Sequence, residues 1–384
     1  MEEDFFVEWR KNENIRPLTL PNKSKLYHDL LNIEHSWSGR MDTNIGNTFI
    51  MESVQLLINS IELFEKGYFD CAYFALRSAV DISTTMVFLC DIEEESRENY
   101  LNDWKQVEDF PLRYQMIKKL SKDGSIFIDM TTNMPNFFKQ AEEISQKLNK
   151  YVHKQGLNNF YISRNHPIFQ VKSQETFISN FLYFLKNVIC IVAIMRLAID
   201  PFPVLLMDEE ILYRCFDSMT EPYTEEFIQE YIGWEYIEDY KKTNFYSTVR
   251  DSFENEEKKN ETVFAIVKYQ YIDTTKKEKI IEQFHLLTEH DATATLIALS
   301  CNKVVKVYAL NGLLMFFTEK NTNRRKYSWN GADFIEFQSS EQKYNQQYDE
   351  VYISVFSFNN ETYWVEHNEI LTTIDIQNIH ELKG

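Results

Sequence analysis

Glycine and proline are scarce in this chain of 384 residues, which contains nine of the former and eight of the latter. So few chain-breaking residues favour long regular elements over a loop-rich architecture. The scarcity of glycine also leaves few backbone cradles for phosphate. Walker A, G-x-G-x-x-G, G-x-S-x-G and H-E-x-x-H motifs are all absent. Phosphate-loop, dinucleotide-binding and zincin sites are therefore excluded.

Cysteine is also sparse, with five copies scattered along the chain and no C-x-x-C pair. An odd number of isolated cysteines indicates neither a zinc site nor a disulfide framework. We therefore predict no metal and no cofactor.

Long hydrophobic runs are missing as well. The longest apolar run, at residues 188–197, is interrupted by Arg196 and is too short to span a bilayer. The first residues provide neither the basic n-region nor the apolar h-region of a signal peptide. We expect a cytoplasmic protein with no membrane partner.

Positive charge is in deficit, because 40 Lys and Arg residues stand against 59 Asp and Glu, a formal net charge of −19. This balance argues against a broad electrostatic surface for duplex DNA or anionic lipid, although it leaves room for a local basic site. Residues 1–203 carry a net charge of −5 and the remainder carries −14. The acidity therefore belongs mainly to the second half.

Apolar residues recur at helical spacing through the first half of the chain. A short connection between the first two helices forces them to run antiparallel. We predict an up-down four-helix bundle over residues 47–203, preceded by a leader, residues 1–46, that packs on the body. The predicted helices run from Asn47 or Thr48, as the cap, to Lys66-Gly67, over residues 68–90, from Pro135 to about Val152, and over residues 173–199.

Residues 204–261 are predicted to form an acidic helical connector. Between positions 205 and 240, eleven acidic residues accompany Arg214 alone, a net charge of −10, and apolar residues are interleaved with them. Such interleaving predicts acidic helices rather than disorder.

From Thr262 onward, short apolar runs separated by turn residues predict an antiparallel β-rich α+β domain over residues 262–384. Asn311-Gly312 is the strongest hairpin signal in the chain, and Asn359-Asn360 is a weaker one. The whole chain is thus predicted to be an α+β multidomain protein. The predicted strands cover residues 263–269, 295–299, 304–310, 313–317, 351–358 and 363–365, with a helix at 276–287.

Arg77 is the most unusual residue of the second predicted helix, because it lies among alanines, phenylalanine and valine. An unpaired guanidinium in such surroundings is costly, so Arg77 requires a partner or a function. Near the end of the third helix, Asn149 and His153 lie four residues apart and share one helical face. The function depends on whether these two faces meet.

Three short motifs together resemble the HEPN superfamily. They are Gly67-Tyr68-Phe69-Asp70-x-Ala72 at the hairpin turn, Leu76-Arg77-Ser78 on the second helix and Leu148-Asn149-x-x-x-His153 at the end of the third. The resemblance covers roughly residues 47–198 and implies a four-helix bundle of the kind found in bacterial toxins, toxin–antitoxin systems, phage-defence (antiviral) proteins and CRISPR effectors. Many of these are metal-independent ribonucleases, and they usually build their site across a homodimer.

The catalytic pattern of that family is an Arg, then a polar residue that is often Asn, and then a His. Asn149 and His153 match the second and third positions, whereas Leu148 stands at the place of the Arg. The resemblance implies that His153 moves protons and that Asn149 orients the site. Arg77, or Lys147, would contact phosphate, since a guanidinium donates bidentately to phosphate oxygens. The residues expected to attract the RNA backbone are Lys147, Lys150, Lys154 and Arg164.

Each of these residues also has a structural interpretation. His153 at a helix end can cap carbonyls or interact with the helix dipole. Arg77 can tie helices together through an acid such as Asp81 or Glu143. The lysines Lys118, Lys119 and Lys122 form a solvated face in the simplest interpretation. The aromatic residues Trp329, Tyr352 and Trp364 suit core packing better than a stacking pocket for a nucleotide or other ligand.

The alternative hypothesis is a non-catalytic dimeric interaction or sensor protein, whose acidic or β-rich portion recognises a protein partner. Leu148 and the net charge favour it. Arg77 and His153 exposed together in one groove would support the endoribonuclease, whereas burial of each beside its own acid would support the interaction protein. A nucleic-acid mimic is a weaker third hypothesis, because the acidic residues alternate with core residues.

Overall fold

The computed structural model describes residues 4–5, 17–40, 44–106, 110–160, 173–215, 219–321 and 329–382. The chain forms two compact units, one comprising Met1–Leu212 and Met219–Asn255 and the other comprising Tyr213–Ser218 and Glu256–Gly384. The first unit is helical and the second combines helices with a six-stranded sheet, so the protein is an α+β multidomain chain.

The helices of the first unit account for most of its described residues. A 3₁₀ turn at Leu157–Asn159 and a π-helical turn at Ile228–Ile232 accompany them. Residues 204–212 and 219–255 of the predicted acidic connector belong to this unit. The helices are α1 (Lys23–Glu34), α2 (Ile45–Glu65), α3 (Phe69–Cys90), α4 (Glu94–Gln106), α5 (Arg113–Asp123), α6 (Ser125–Asn133), α7 (Pro135–Val152), α8 (Gln174–Arg196), α9 (Phe202–Leu205), α10 (Glu209–Leu212), α11 (Glu225–Phe227), α12 (Trp234–Tyr240) and α13 (Asn244–Glu254).

The four helices predicted from periodicity are confirmed as α2, α3, α7 and α8, and α3 packs against each of the other three. The predicted cap at Asn47 or Thr48 is wrong, because α2 already begins at Ile45. The Asn47 side chain is buried instead and exchanges two hydrogen bonds with the Ser38 backbone, at 2.8 and 2.9 Å. These bonds hold the end of the leader against α2.

Gly67 ends α2 as the sequence predicts. Its φ of 84° is left-handed, a conformation that glycine adopts without steric cost. The Tyr68 N–H donates to the Leu63 carbonyl and the Gly67 N–H to the Phe64 carbonyl, both at 2.9 Å. This is a Schellman turn, which satisfies the last carbonyls of α2 and lets α3 start at once in the opposite direction.

Two helices, α3 and α8, are long and apolar enough to cross a membrane by length and composition alone. However, 72% and 61% of the residues in their most apolar windows are buried inside the protein. The apolar surface of both helices is thus largely covered within the unit.

Arg196, at the end of α8, is fully buried and joins the leader to the helices of the first unit. Its Nε donates to the Ser36 carbonyl at 2.6 Å, and its Nη2 lies 3.1 and 3.3 Å from the two carboxylate oxygens of Asp200. Asp200 is itself only 2% exposed. The predicted packing of the leader on the body therefore includes a charged anchor that the sequence did not indicate.

The second unit contains a mixed sheet with the strand order β1-β3-β2-β6-β5-β4 in its described residues. β1 pairs with β3 in parallel, and the other neighbours are antiparallel, so the predicted purely antiparallel arrangement is wrong at this edge. The elements are α14 (Glu261–Tyr269), β1 (Tyr271–Ile272), α15 (Lys277–Glu282), α16 (Glu289–Ser300), β2 (Val304–Ala309), β3 (Leu314–Thr318), α17 (Gly331–Ser339), β4 (Gln346–Tyr348), β5 (Val351–Phe358), β6 (Glu361–His367) and α18 (Thr373–His380).

Two of the predicted strands are helices. Residues 263–269 lie in α14, where the Asn260 side chain accepts hydrogen bonds from the Thr262 and Val263 amides. Residues 295–299 lie in α16, which Thr288 and Asp291 begin with a capping box. The predicted helix at 276–287 is shorter, because α15 ends at Glu282 and a 3₁₀ turn follows. In these short apolar runs the cap residues decide the structure, since periodicity alone is ambiguous.

Both hairpin signals are confirmed, together with the strands they connect. Asn359 and Asn360, with φ of 50° and 66°, form the two-residue link between β5 and β6. Asn311 and Gly312 are also left-handed and lie between β2 and β3. The sheet then buries Trp329 (8% exposed) and Trp364 (1% exposed) in an aromatic core, which confirms the core-packing interpretation of these two residues. Tyr352 is only half-buried and lies outside that core, with its ring stacked on the His367 ring.

His367 is a buried histidine at the end of β6. Its Nε2 lies 2.9 Å from the Ser354 hydroxyl and its Nδ1 lies 2.8 Å from the Glu369 carbonyl oxygen. Burial lowers the pKa of His367 from 6.5 to about 4. The neutral imidazole satisfies both neighbours, whereas the charged form would lose its solvation.

We expect His367 to make stability depend on pH. Between pH 6.5 and 4 the unfolded histidine binds a proton and the folded one does not, so acidification favours unfolding by up to about 3 kcal/mol. Chemical denaturation at pH 7, 6 and 5 measures the slope. His367→Gln, which cannot titrate, should flatten it, and an equal slope in both proteins would contradict this assignment.

Candidate active site

α3 and α7 run antiparallel and meet along a series of side-chain pairs. From one pair to the next, the residue number rises along α3 and falls along α7. Successive pairs are three or four residues apart on α3, which is about one helical turn. The pairs are Asp70 with Lys154 as an ion pair, Tyr73 with Tyr151 as stacked rings with centroids 4.4 Å apart, and Arg77 with Asn149 as a hydrogen bond.

Arg77 reaches across to Asn149, because its Nε donates to the Asn149 Oδ1 at 2.6 Å. Its Nη1 forms an ion pair with Asp81, one turn further along α3. The side chain of Arg77 is 18% exposed, and its Nη2 makes no hydrogen bond to the described part of the chain. Two neighbours therefore orient the guanidinium while one amino group is left for another acceptor. Of the two acids predicted as partners, Asp81 makes the pair.

Leu148 is fully buried in the core of the unit. On a helix, position 148 points about 100° away from Asn149, here into the apolar core of the unit. A guanidinium there would lie in apolar surroundings without water. The burial explains why leucine occupies the motif position, and Arg77 on the neighbouring helix brings a cation to Asn149 instead.

His153 follows the last residue of α7, and its N–H donates to the Asn149 carbonyl at 2.8 Å. The Gln155 N–H donates to the Lys150 carbonyl at 2.9 Å, and Lys154 is left-handed with φ of 53°, so the helix ends in a Schellman turn. The backbone thus closes the helix end. The His153 side chain is exposed, and its imidazole makes no hydrogen bond or ion pair with the residues that the structure describes.

A polar contact beneath this surface was not predicted. Asn180 on α8 donates from its Nδ2 to the Tyr73 hydroxyl at 2.8 Å and to the Tyr151 hydroxyl at 3.1 Å. Tyr73 is 1% exposed. The stacked tyrosines and Asn180 thus connect α3, α7 and α8 beneath the composite surface of Arg77 and Asn149. No motif connects these three residues, so the sequence contained no signal for the contact.

The predicted RNA-binding lysines are distributed over different sides of α7 and the turn that follows it. Lys154 is paired with Asp70, and Lys150 is exposed without a hydrogen bond or ion pair to the described residues. Lys147 lies on the other edge, roughly 160° around the helix from Asn149. Its Nζ is 3.4 Å from the Tyr183 hydroxyl and 5.6 Å from that ring's centroid. Arg164 lies outside the described residues.

The structure therefore brings together Arg77 and Asn149, with His153 one helical turn along the same face. We call these three residues the composite site. Among the described residues there is no group of three or more His, Cys, Asp or Glu side chains that could hold a metal ion.

Comparison with protein-family models, with curated proteins and with solved structures finds no match to this chain.

Proposed function

We propose that the first unit is a HEPN-like bundle and that the protein is a metal-independent RNA endonuclease of a bacterial defence or toxin type, regulated by its second unit. The observation that carries the proposal is the 2.6 Å hydrogen bond from Arg77 to Asn149. Arg77 provides the cation that is missing from the motif because Leu148 occupies the arginine position. The hydrogen bond holds the Arg77 guanidinium beside the helix face on which His153 follows.

The chemistry requires one proton carrier and one cation. The His153 imidazole accepts the proton of a ribose 2′-hydroxyl, and the 2′-oxygen attacks the adjacent phosphorus. The bond from phosphorus to the 5′-oxygen breaks, and that oxygen takes a proton from the imidazolium or from water. The products are a 2′,3′-cyclic phosphate and a 5′-hydroxyl. Arg77 stabilises the negative charge that develops on the phosphorane oxygens.

Asn149 is expected to act by orienting Arg77. In Asn149→Ala the Nε of Arg77 loses its acceptor, and we expect cleavage of a labelled RNA in EDTA to slow by about tenfold to a hundredfold, the range of a charge-assisted hydrogen bond. Asn59→Ala is the matched control, since Asn59 is an exposed helical asparagine that also accepts one side-chain hydrogen bond. Equal rates in the two variants would remove Asn149 from the mechanism.

A second candidate function is a non-catalytic dimeric interaction protein. This function is favoured by the ion pairs of Arg77 with Asp81 and of Lys154 with Asp70, because each pairs a predicted RNA-binding cation with an acid of the same unit. Light scattering and the cleavage assay distinguish the candidates. A dimer that leaves RNA intact would favour the interaction protein, and cleavage in EDTA would favour the endonuclease.

A further inference from the structure

A second surface of the first unit has the features of a ligand site. A cleft of about 810 Å³ opens between α4 and α5, within the range of small-molecule sites. We call it the α4–α5 cleft. Three aromatic side chains and three lysines line it: Tyr100, Phe110, Tyr114, Lys118, Lys119 and Lys122. These lysines therefore line a concave surface, rather than only the solvated face expected from the sequence.

The lysines of the cleft are weakly paired. Lys119 places its Nζ 4.3 Å from the centroid of the Tyr100 ring, and Lys118 has no ion pair among the described residues. Lys122 lies 3.8 Å from Asp123, but both side chains are largely exposed, and such a pair contributes little. Among the described residues that line the cleft, three lysines stand beside one acid, Asp123, so this lining is positive in a chain with a net charge of −19.

The aromatic rings provide the complementary surface. Tyr114 is 66% exposed, while Tyr100 and Phe110 are half-buried in the wall of the cleft. An aromatic face stacks on a nucleobase, and lysine ammonium groups bind phosphate oxygens. An uncharged apolar ligand would leave the three cations without a counter-charge.

We propose that the α4–α5 cleft binds a nucleotide, with its base stacked on the aromatic wall and its phosphates held by Lys118, Lys119 and Lys122. The nucleotide can be free or can be one unit of a single-stranded RNA, because both present the same base and phosphate. The proposal does not depend on the composite site, which lies on α3 and α7.

The test measures binding of ATP by calorimetry, and of a short fluorescein-labelled single-stranded RNA by anisotropy, to the full chain carrying His153→Ala. The triple variant Lys118→Ala, Lys119→Ala, Lys122→Ala should raise the Kd at least about tenfold, and Tyr114→Ala at least about fivefold. The controls are Lys276→Ala, Lys277→Ala, Lys279→Ala for charge and Tyr269→Ala for an exposed ring, and neither should change the Kd.

Comparing the two ligands also identifies the source of the nucleotide. Tighter binding of ATP indicates a free nucleotide, and tighter binding of the RNA indicates a single-stranded RNA. Inorganic tripolyphosphate should bind more weakly than ATP. Protection of the three lysines from acetylation by the bound ligand, read by mass spectrometry, needs no variant. Absence of binding by both ligands, unchanged affinity in the triple variant, or equal binding of tripolyphosphate and ATP would overturn the proposal.

Discussion

Replacing His153 with alanine is expected to slow RNA cleavage by a factor of about 10² to 10⁴, the usual contribution of a general acid or base. The melting temperature should stay the same, because the imidazole is exposed and makes no bond to the described residues. The N–H bond to the Asn149 carbonyl that ends α7 belongs to the backbone and remains in the variant. Loss of activity without loss of stability would identify a chemical role.

The matched control for this prediction is His28→Ala, which removes another exposed histidine, one that lies on α1 and far away in sequence. A substrate with 2′-deoxyribose at every position should resist the wild-type protein, since it lacks the attacking hydroxyl. Cleavage of that substrate, or equal cleavage of RNA by His153→Ala and His28→Ala, would contradict attack by a 2′-hydroxyl assisted by His153.

Replacing Arg196 with alanine is expected to lower the free energy of unfolding by about 3–5 kcal/mol, the cost of leaving a buried charge without its partner. Asp200, 2% exposed, would keep its charge without the guanidinium, and the Ser36 carbonyl would lose its donor. The melting temperature should fall by roughly 10 °C. Thermal unfolding followed by circular dichroism measures the change.

Arg250→Ala provides the control, because Arg250 pairs with Glu254 at the same i,i+4 spacing on a helix but both side chains are nearly half exposed. That variant should lose less than about 1 kcal/mol. Adding Asp200→Asn to Arg196→Met should recover part of the stability, since the unpaired charge is removed. Equal losses in the Arg196 and Arg250 single variants would show that burial does not determine the cost.

The long helices could be predicted because their apolar faces repeat over five or six turns. The Schellman turn at Gly67 and the hairpin at Asn359-Asn360 were likewise predictable, since both positions require left-handed backbone. α14 and α16 could not be predicted from their apolar residues, because runs of five to seven such residues fit a strand equally well. The side-chain caps at Asn260 and Thr288 were the available evidence for helix.

The contact between Arg77 and Asn149 could be hypothesised from the sequence but not predicted. Both residues lie on predicted helices, and the sequence does not determine which helix faces meet. The hydrogen bonds from Asn180 to Tyr73 and Tyr151 could not be predicted, since these three residues share no sequence motif. The sequence also singled out Arg77 as the costly buried cation, whereas Arg196, with no exposed surface, is the more deeply buried of the two arginines. The partners of Arg196, Ser36 and Asp200, are set by the tertiary fold.

The measurement that tests the proposed endonuclease activity most directly is cleavage of an end-labelled single-stranded RNA by the purified full chain in EDTA, with analysis of the product ends. The composite site predicts 2′,3′-cyclic phosphate and 5′-hydroxyl ends from the wild type, and their loss in both His153→Ala and Arg77→Ala. Intact RNA with the wild type, or the same products from all three proteins, would contradict it.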